Sequence, residues 1–352
     1  MTKNIMKFLL HCSMFLITGL LLPSLTFAHH SPNVHFDRSQ IIEIEGELTE
    51  LTWRNPHVQF ELEATDEQGV TKIWEMEYLA PSFLMRQGIS KDLFKLGDTL
   101  KVAGYVGRAN KAALFTTNVL FPTGQEVFDF QISQARWTDN TVGLTFGEYQ
   151  QEKLDTATEI TSSLFRVWST DVANINPGRT FWKEEYPLTA EAESRQASWD
   201  RVGENPYMRC ENGMPAIMDQ FYPTEFVDNG DHILVYLEEL DIVRTIHMVE
   251  VPEPTESNPY GHSVGMWDGN SLVVNTTHIN WPWFDQTGIP QSENVHVLER
   301  FTPSPDGHRL DYIATVTDPE IFIEPVVLER IWIWVPGESV EPYDCTISYE
   351  KY

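Results

Sequence analysis

The chain has 352 residues, of which 52 are acidic and 24 basic, for a net charge of −28, and 41% are hydrophobic. So acidic a surface repels nucleic acid and anionic lipid, which excludes a polyanion-binding role. The length suits two domains of ordinary size.

Residues 1–28 read as a cleavable signal peptide. Lys3 and Lys7 precede an apolar run over residues 8–22, and Thr26-Phe27-Ala28 ends the segment with small residues where a signal peptidase reads. Pro23 at the edge of the run, with no cationic stop-transfer cluster after it, argues against a membrane anchor. His11 stands before Cys12 where a lipoprotein signal needs a small residue. Processing removes two lysines and no acid, so the mature chain is still more acidic. It is expected in the periplasm or outside the cell, with no stable membrane span. Cys210 and Cys345 survive processing, and neither has CxxC or metal-ligand spacing. In an oxidising compartment they read as one structural disulfide.

Five strands and one helix are predicted over residues 41–127. IIEIEGELTELTW (41–53) alternates on Ile42, Ile44 and Leu48, then changes phase to Leu51 and Trp53, which signals a bulge. The next strand turns Val58, Phe60 and Leu62 inward and His57, Gln59, Glu61 and Glu63 outward. After the turn Asp66-Glu67-Gln68-Gly69 come TKIWEMEYLA, a helix opened by Pro81, and the strands TLKVAGYVG and ALFTTNVLF. The order β-β-β-α-β-β with a bent first strand is that of an OB-type barrel. Residues 128–160 read as a polar linker with a short helix.

Beyond residue 160, SLFRVWSTD reads as a strand, and an irregular stretch runs to Met214. HILVYLEEL, IVRTIHMVE, SLVVNTTHIN, NVHVLERFT, RLDYIATVT, VVLERIWIWV and CTISYEKY then follow, punctuated by Asp228-Asn229-Gly230-Asp231, Asp268-Gly269-Asn270 and Pro305-Asp306-Gly307. Short strands at this spacing predict an antiparallel barrel or sandwich, and so continuous a meander favours an up-and-down, calycin-like barrel. The fold expected is therefore all-β. It has an OB-like five-stranded barrel over residues 29–127 and a larger antiparallel barrel over 161–352.

AHHS (28–31), TWRNPHV (52–58) and FKLGD (94–98) resemble an uncharacterised family of exported bacterial domains. YPTEFV, GHSVGMWDGNSLVVNTT and HVLERF in the second half are similar to another group of uncharacterised secreted proteins. These resemblances imply export and the domain split, and no activity.

Two constellations could carry chemistry. Cleavage after Ala28 makes His29 the terminal residue, whose amine and imidazole nitrogens in a planar set suit copper(II). His30, His35 and His57 are close in sequence, and His57 is the expected partner. In the second half, Arg244, His278, Glu299 and Arg330 each fall on an apolar face of a predicted strand, where a charge is costly unless paired or in a pocket. Inside a barrel, Glu299 and His278 could do acid–base work with an arginine stabilising an anion. A buried Arg–Glu pair that only fixes strand register is the bland alternative. His262 is expected at the barrel mouth, and Trp281 and Trp283 could stack on a ligand or plug one end. The chain lacks P-loop, HExxH and dinucleotide-binding signatures. Binding of a small hydrophobic molecule in the second barrel is the first functional expectation. An enzyme (lyase, isomerase or hydrolase) using that pocket comes second, and a copper-binding protein centred on His29 and His57 third.

Overall fold

A computed structural model describes residues 36–345, except 66–68, 109, 130–132, 144–145, 158–162, 171–180, 201–202 and 253–255. The expected signal segment and His29, His30 and His35 lie outside the described residues. The architecture is mostly β, as expected, with two separate sheets.

The first contains β1 (Phe36–Thr52), β2 (Gln59–Thr65), β3 (Thr71–Glu77), β4 (Thr99–Gly107), β5 (Ala113–Leu120) and β6 (Glu126–Phe128). Their order is β3-β2-β1-β4-β5-β6, and β3 also pairs in parallel with the start of β5. That pairing joins the first five strands into a ring in the expected OB-type order. A sixth strand, β6, pairs with Asn118–Leu120 at the other end of β5. The phase change in β1 is a register shift between Leu48 and Glu50, which lets one long strand serve β4 with its first half and β2 with its second. Val58, Phe60 and Leu62 are buried as predicted. The helix Pro81–Arg86 opens on proline, whose fixed φ suits a first turn. Gly88, at φ 74°, ends it.

The second sheet is a closed barrel of β7 (Val167–Thr170), β8 (Thr224–Asp228), β9 (His232–Leu237), β10 (Ile242–His247), β11 (His262–Asp268), β12 (Ser271–Thr277), β13 (His296–Pro303), β14 (Arg309–Thr317) and β15 (Val326–Ile333). Each strand lies beside its sequence neighbour and β15 returns to β7, so the expected meander is present. The exception is β10–β11, which pair in parallel through Ile246–Ser263 and His247–Val264. The strand reading missed β8 and β11: one is five residues long, and the other is interrupted by Gly265. CTISYEKY begins at Cys345, which is in no strand, and its remainder lies outside the described residues.

Inward side chains alternate along these strands and fill the axis. Phe301 and Trp332 stack with ring centroids 6.3 Å apart, and Tyr312 lies 4.8 Å and 5.1 Å from those two rings. Trp168, Phe226, Val274 and Leu328 complete the same core.

The two sheets meet at a polar seam. Asn55 donates Nδ2 to Glu238 Oε1 at 3.1 Å, and Arg86 donates Nε to Glu338 Oε1 at 2.7 Å. The helix Phe146–Thr156, within the expected linker, donates Gln150 Nε2 to the Trp334 carbonyl. Cys210 and Cys345 form the expected disulfide, with Cα atoms 6.0 Å apart. Among the described residues, no helix is long and apolar enough to cross a membrane.

Candidate functional site

Arg244, on β10, and Glu299, on β13, face each other across the barrel interior at 1% and 0% exposure. Arg244 Nη1 donates to Glu299 Oε1 at 2.9 Å, and Nη2 pairs with Oε2. Ser263 Oγ accepts from Nε and Nη2 of Arg244, and Thr276 Oγ1 also accepts from Nη2. Tyr312 completes the set by donating its hydroxyl to Glu299 Oε1 at 2.9 Å. This is a satisfied network: each charge has its opposite and a hydroxyl beside it. Such an arrangement anchors five strands, β10 to β14, and occupies both partners of the pair.

Arg330, on β15, belongs to a neighbouring set at one end of the barrel. Its Nη1 pairs with Asp219, and its Nη2 donates to Thr170 Oγ1 at 2.7 Å and to the Gln220 carbonyl. The guanidinium carbon also lies 5.6 Å from the Phe221 ring and 5.7 Å from Trp332. Burial pushes the Asp219 carboxyl up to about 6, against the opposing pull of Arg330.

The third member of the predicted triad is elsewhere. β12 ends at Thr277, and His278 takes φ 54°, which carries it off the alternation of Leu272, Val274 and Thr276. Its side chain is exposed and its Nδ1 is 2.9 Å from Thr277 Oγ1. The Glu299–His278 acid–base pair expected from the sequence is therefore not assembled. A positive-φ residue at a strand end breaks the face pattern that periodicity assumes.

The three predicted ligand contacts also find structural partners. His262 opens β11 on the outer face, with its ring 5.3 Å from that of His247. Trp281 packs over Gly213, where a Cβ would come within 2.4 Å of its ring. Trp283 lies 5.8 Å from Trp199. Phe284 of the same WPWF run is fully buried in the barrel core, with Trp281 packed against that core.

His57 differs from its expected place. It precedes β2 rather than standing on its solvent face, and its side chain is only 18% exposed. Its Nδ1 lies 2.8 Å from Oε1 of Glu77, whose side chain is 1% exposed at the end of β3. Sequence reading missed Glu77 because its two-residue spacing from Glu75 looks like a solvated face. Asp219 was missed because it ends a single 3-10 turn, Ala216–Asp219, which has no periodic signature. Among the described residues, no three His, Cys, Asp or Glu side chains converge closely enough to hold a metal ion.

The seam carries a pH dependence. Burial pushes Glu238 up to about 7, against hydrogen bonds from the Glu341 N–H and from Asn55 that favour its charged form. A carboxyl raised above its unfolded value holds its proton more tightly in the folded state. Its contribution therefore falls as pH rises from about 4.5 to about 7 and is flat above. Asp219 adds to the lower part of that slope. Glu238→Gln should reduce the fall in urea midpoint between pH 5 and 7; an unchanged profile would contradict this assignment.

No curated protein matches the chain. Residues 20–115, a span that holds His29, His30, His57 and Glu77, match the model of a family of unknown function (DUF6152).

Proposed function

We propose that the protein is exported and binds a late transition metal, copper(II) foremost, through His57 and the histidines of its processed N-terminus. The observation that carries this reading is the buried Glu77 carboxylate set against Nδ1 of His57. Metal-ligating imidazoles commonly turn one ring nitrogen to a carboxylate, which fixes the ring and raises the basicity of the other. With Nδ1 turned to Glu77, Nε2 is the atom that would meet the metal. The terminal amine and imidazole of His29 would add nitrogen donors of the kind copper(II) prefers.

Reach supports the same reading. Phe36 pairs with Gly107 on β4, its ring lies 5.7 Å from Phe115, and Phe115 is in register with Glu77. Phe36 is thus three strand spacings, about 14 Å, from Glu77. His29 is seven residues before Phe36, a length that spans at most about 24 Å.

The test is metal content and copper titration of the natively exported chain. One tightly held copper is expected at this site. His57→Ala and His29→Ala should each weaken binding at least tenfold, and Glu77→Gln by about 10- to 100-fold. Copper loading unchanged by all three substitutions would overturn the reading.

A small apolar ligand is the second reading, and it moves from the barrel axis to the barrel end. The axis is filled by packed rings, whereas Phe221 is 46% exposed beside Arg330. Quenching of tryptophan fluorescence by an apolar probe, reduced by Phe221→Ala, is the expected result. Equal quenching in both proteins would remove this reading.

A further inference from the structure

The barrel has a second grouping of imidazoles, remote in sequence from His57. His232, His247 and His262 lie on the outer face of β9, β10 and β11, and His278 stands just past β12. His247 is in register with His232 across β9–β10. Its ring centroid lies 5.3 Å from that of His262, and His262 lies 6.5 Å from His278. Asp231 Oδ1 is 2.5 Å from His232 Nδ1 at the edge of this belt.

The His247–His262 pair occupies a particular place. His247 is the last residue of β10 and His262 the first of β11, so they bracket the connection 248–261. They also straddle the one parallel junction of the barrel described, which holds only two registered residue pairs. We infer that His247 and His262 form a second metal site, in which one divalent late transition ion bridges the two imidazoles and pins the β10–β11 junction.

The spacing fits that role. Two imidazoles on one tetrahedral ion, each bound through nitrogen at about 2.0–2.1 Å, hold their ring centroids roughly 5 Å apart. Imidazole suits zinc, copper and nickel alike, so the class of ion is set by the ligand and not by the fold. Two protein donors leave the remaining positions to water, which makes this a site for an exchangeable ion. An ion binding the folded junction alone stabilises the barrel by mass action. On the inner face of the same junction, Arg244 Nε already donates to Ser263 Oγ at 3.2 Å. The ion would add an outer clamp to that inner one.

The test uses the full processed chain carrying His57→Ala, so that the N-terminal site lacks its partner, and zinc(II) as probe. A zinc concentration a hundredfold above the dissociation constant should raise the melting temperature by about 5 °C or more. His247→Gln and His262→Gln should each abolish that shift, and His278→Gln should retain it. A shift absent from the parent, surviving either of the first two substitutions, or lost in His278→Gln overturns the proposal. Each variant is first melted without metal. Where one fails to fold, zinc protection of His247 and His262 against diethyl pyrocarbonate in the parent gives the same reading. Protection supports the site, and none overturns it. Failure of the His57 site would not move these results, because they are read without it.

Discussion

Glu299→Ala is expected to cost the fold about 3–5 kcal/mol, the usual penalty for removing one partner of a buried ion pair. Arg244 would be left 1% exposed, with its charge uncompensated among Ile242, Ile246 and the ring of Tyr312. The two hydroxyls of Ser263 and Thr276 would still accept from it, but neither carries a charge. Replacing both partners by apolar residues of similar volume, Arg244→Met with Glu299→Leu, should restore most of the loss, since the desolvation cost goes with the charges. Urea melts of the single and double variants decide the matter. A single variant within 1 kcal/mol of the parent would mean the pair is not the buried anchor described, and a double variant as unstable as the single would mean the network works through its hydroxyls.

Breaking Cys210–Cys345 is expected to cost about 5 kcal/mol, because the bridge spans 135 residues and constrains the unfolded chain over that length. The loss should also have a local component. The segment just before Cys345 holds the seam: Glu341 donates its N–H to Glu238, and Tyr343 donates its N–H to Asp241 Oδ1 at 2.9 Å. Asn55 forms an isolated bridge with Tyr343 from the first sheet. Melting with and without reductant, and in a double serine variant, measures the effect. Coincident melts with and without reductant would show that the bridge does not carry this share.

Much of the fold was legible because alternation is a local property. The inward positions Phe60, Leu62, Val297, Phe301, Leu328 and Trp332 could be read off period-two patterns, and so could the anomalous charges Arg244, Glu299 and Arg330 on the same faces. The bulge in β1 was legible for the same reason, as a change of phase. Partnership was not legible. Arg244 and Arg330 have identical signatures, yet one is held by Glu299 and the other by Asp219, which sits on an irregular turn. His278 looked like an inward residue until the backbone left the strand. The His247–His262 pair could not have been foreseen, since the parallel β10–β11 contact sets it and β11 itself carries a weak strand signal.

By itself the sequence determined the all-β composition, the meander, the bulged first strand and the charged faces, because side-chain alternation and turn residues act over a few positions. It also pointed to the pairing of Cys210 with Cys345, since the third cysteine, Cys12, falls in the segment read as a signal peptide. Only the tertiary structure decided that the Arg244–Glu299 pair is a satisfied anchor, that His57 rests on Glu77, and that four histidines from distant segments share one outer edge. Those are questions of which strands become neighbours and in what register, and neighbours are chosen by closure of the whole sheet rather than by any one segment.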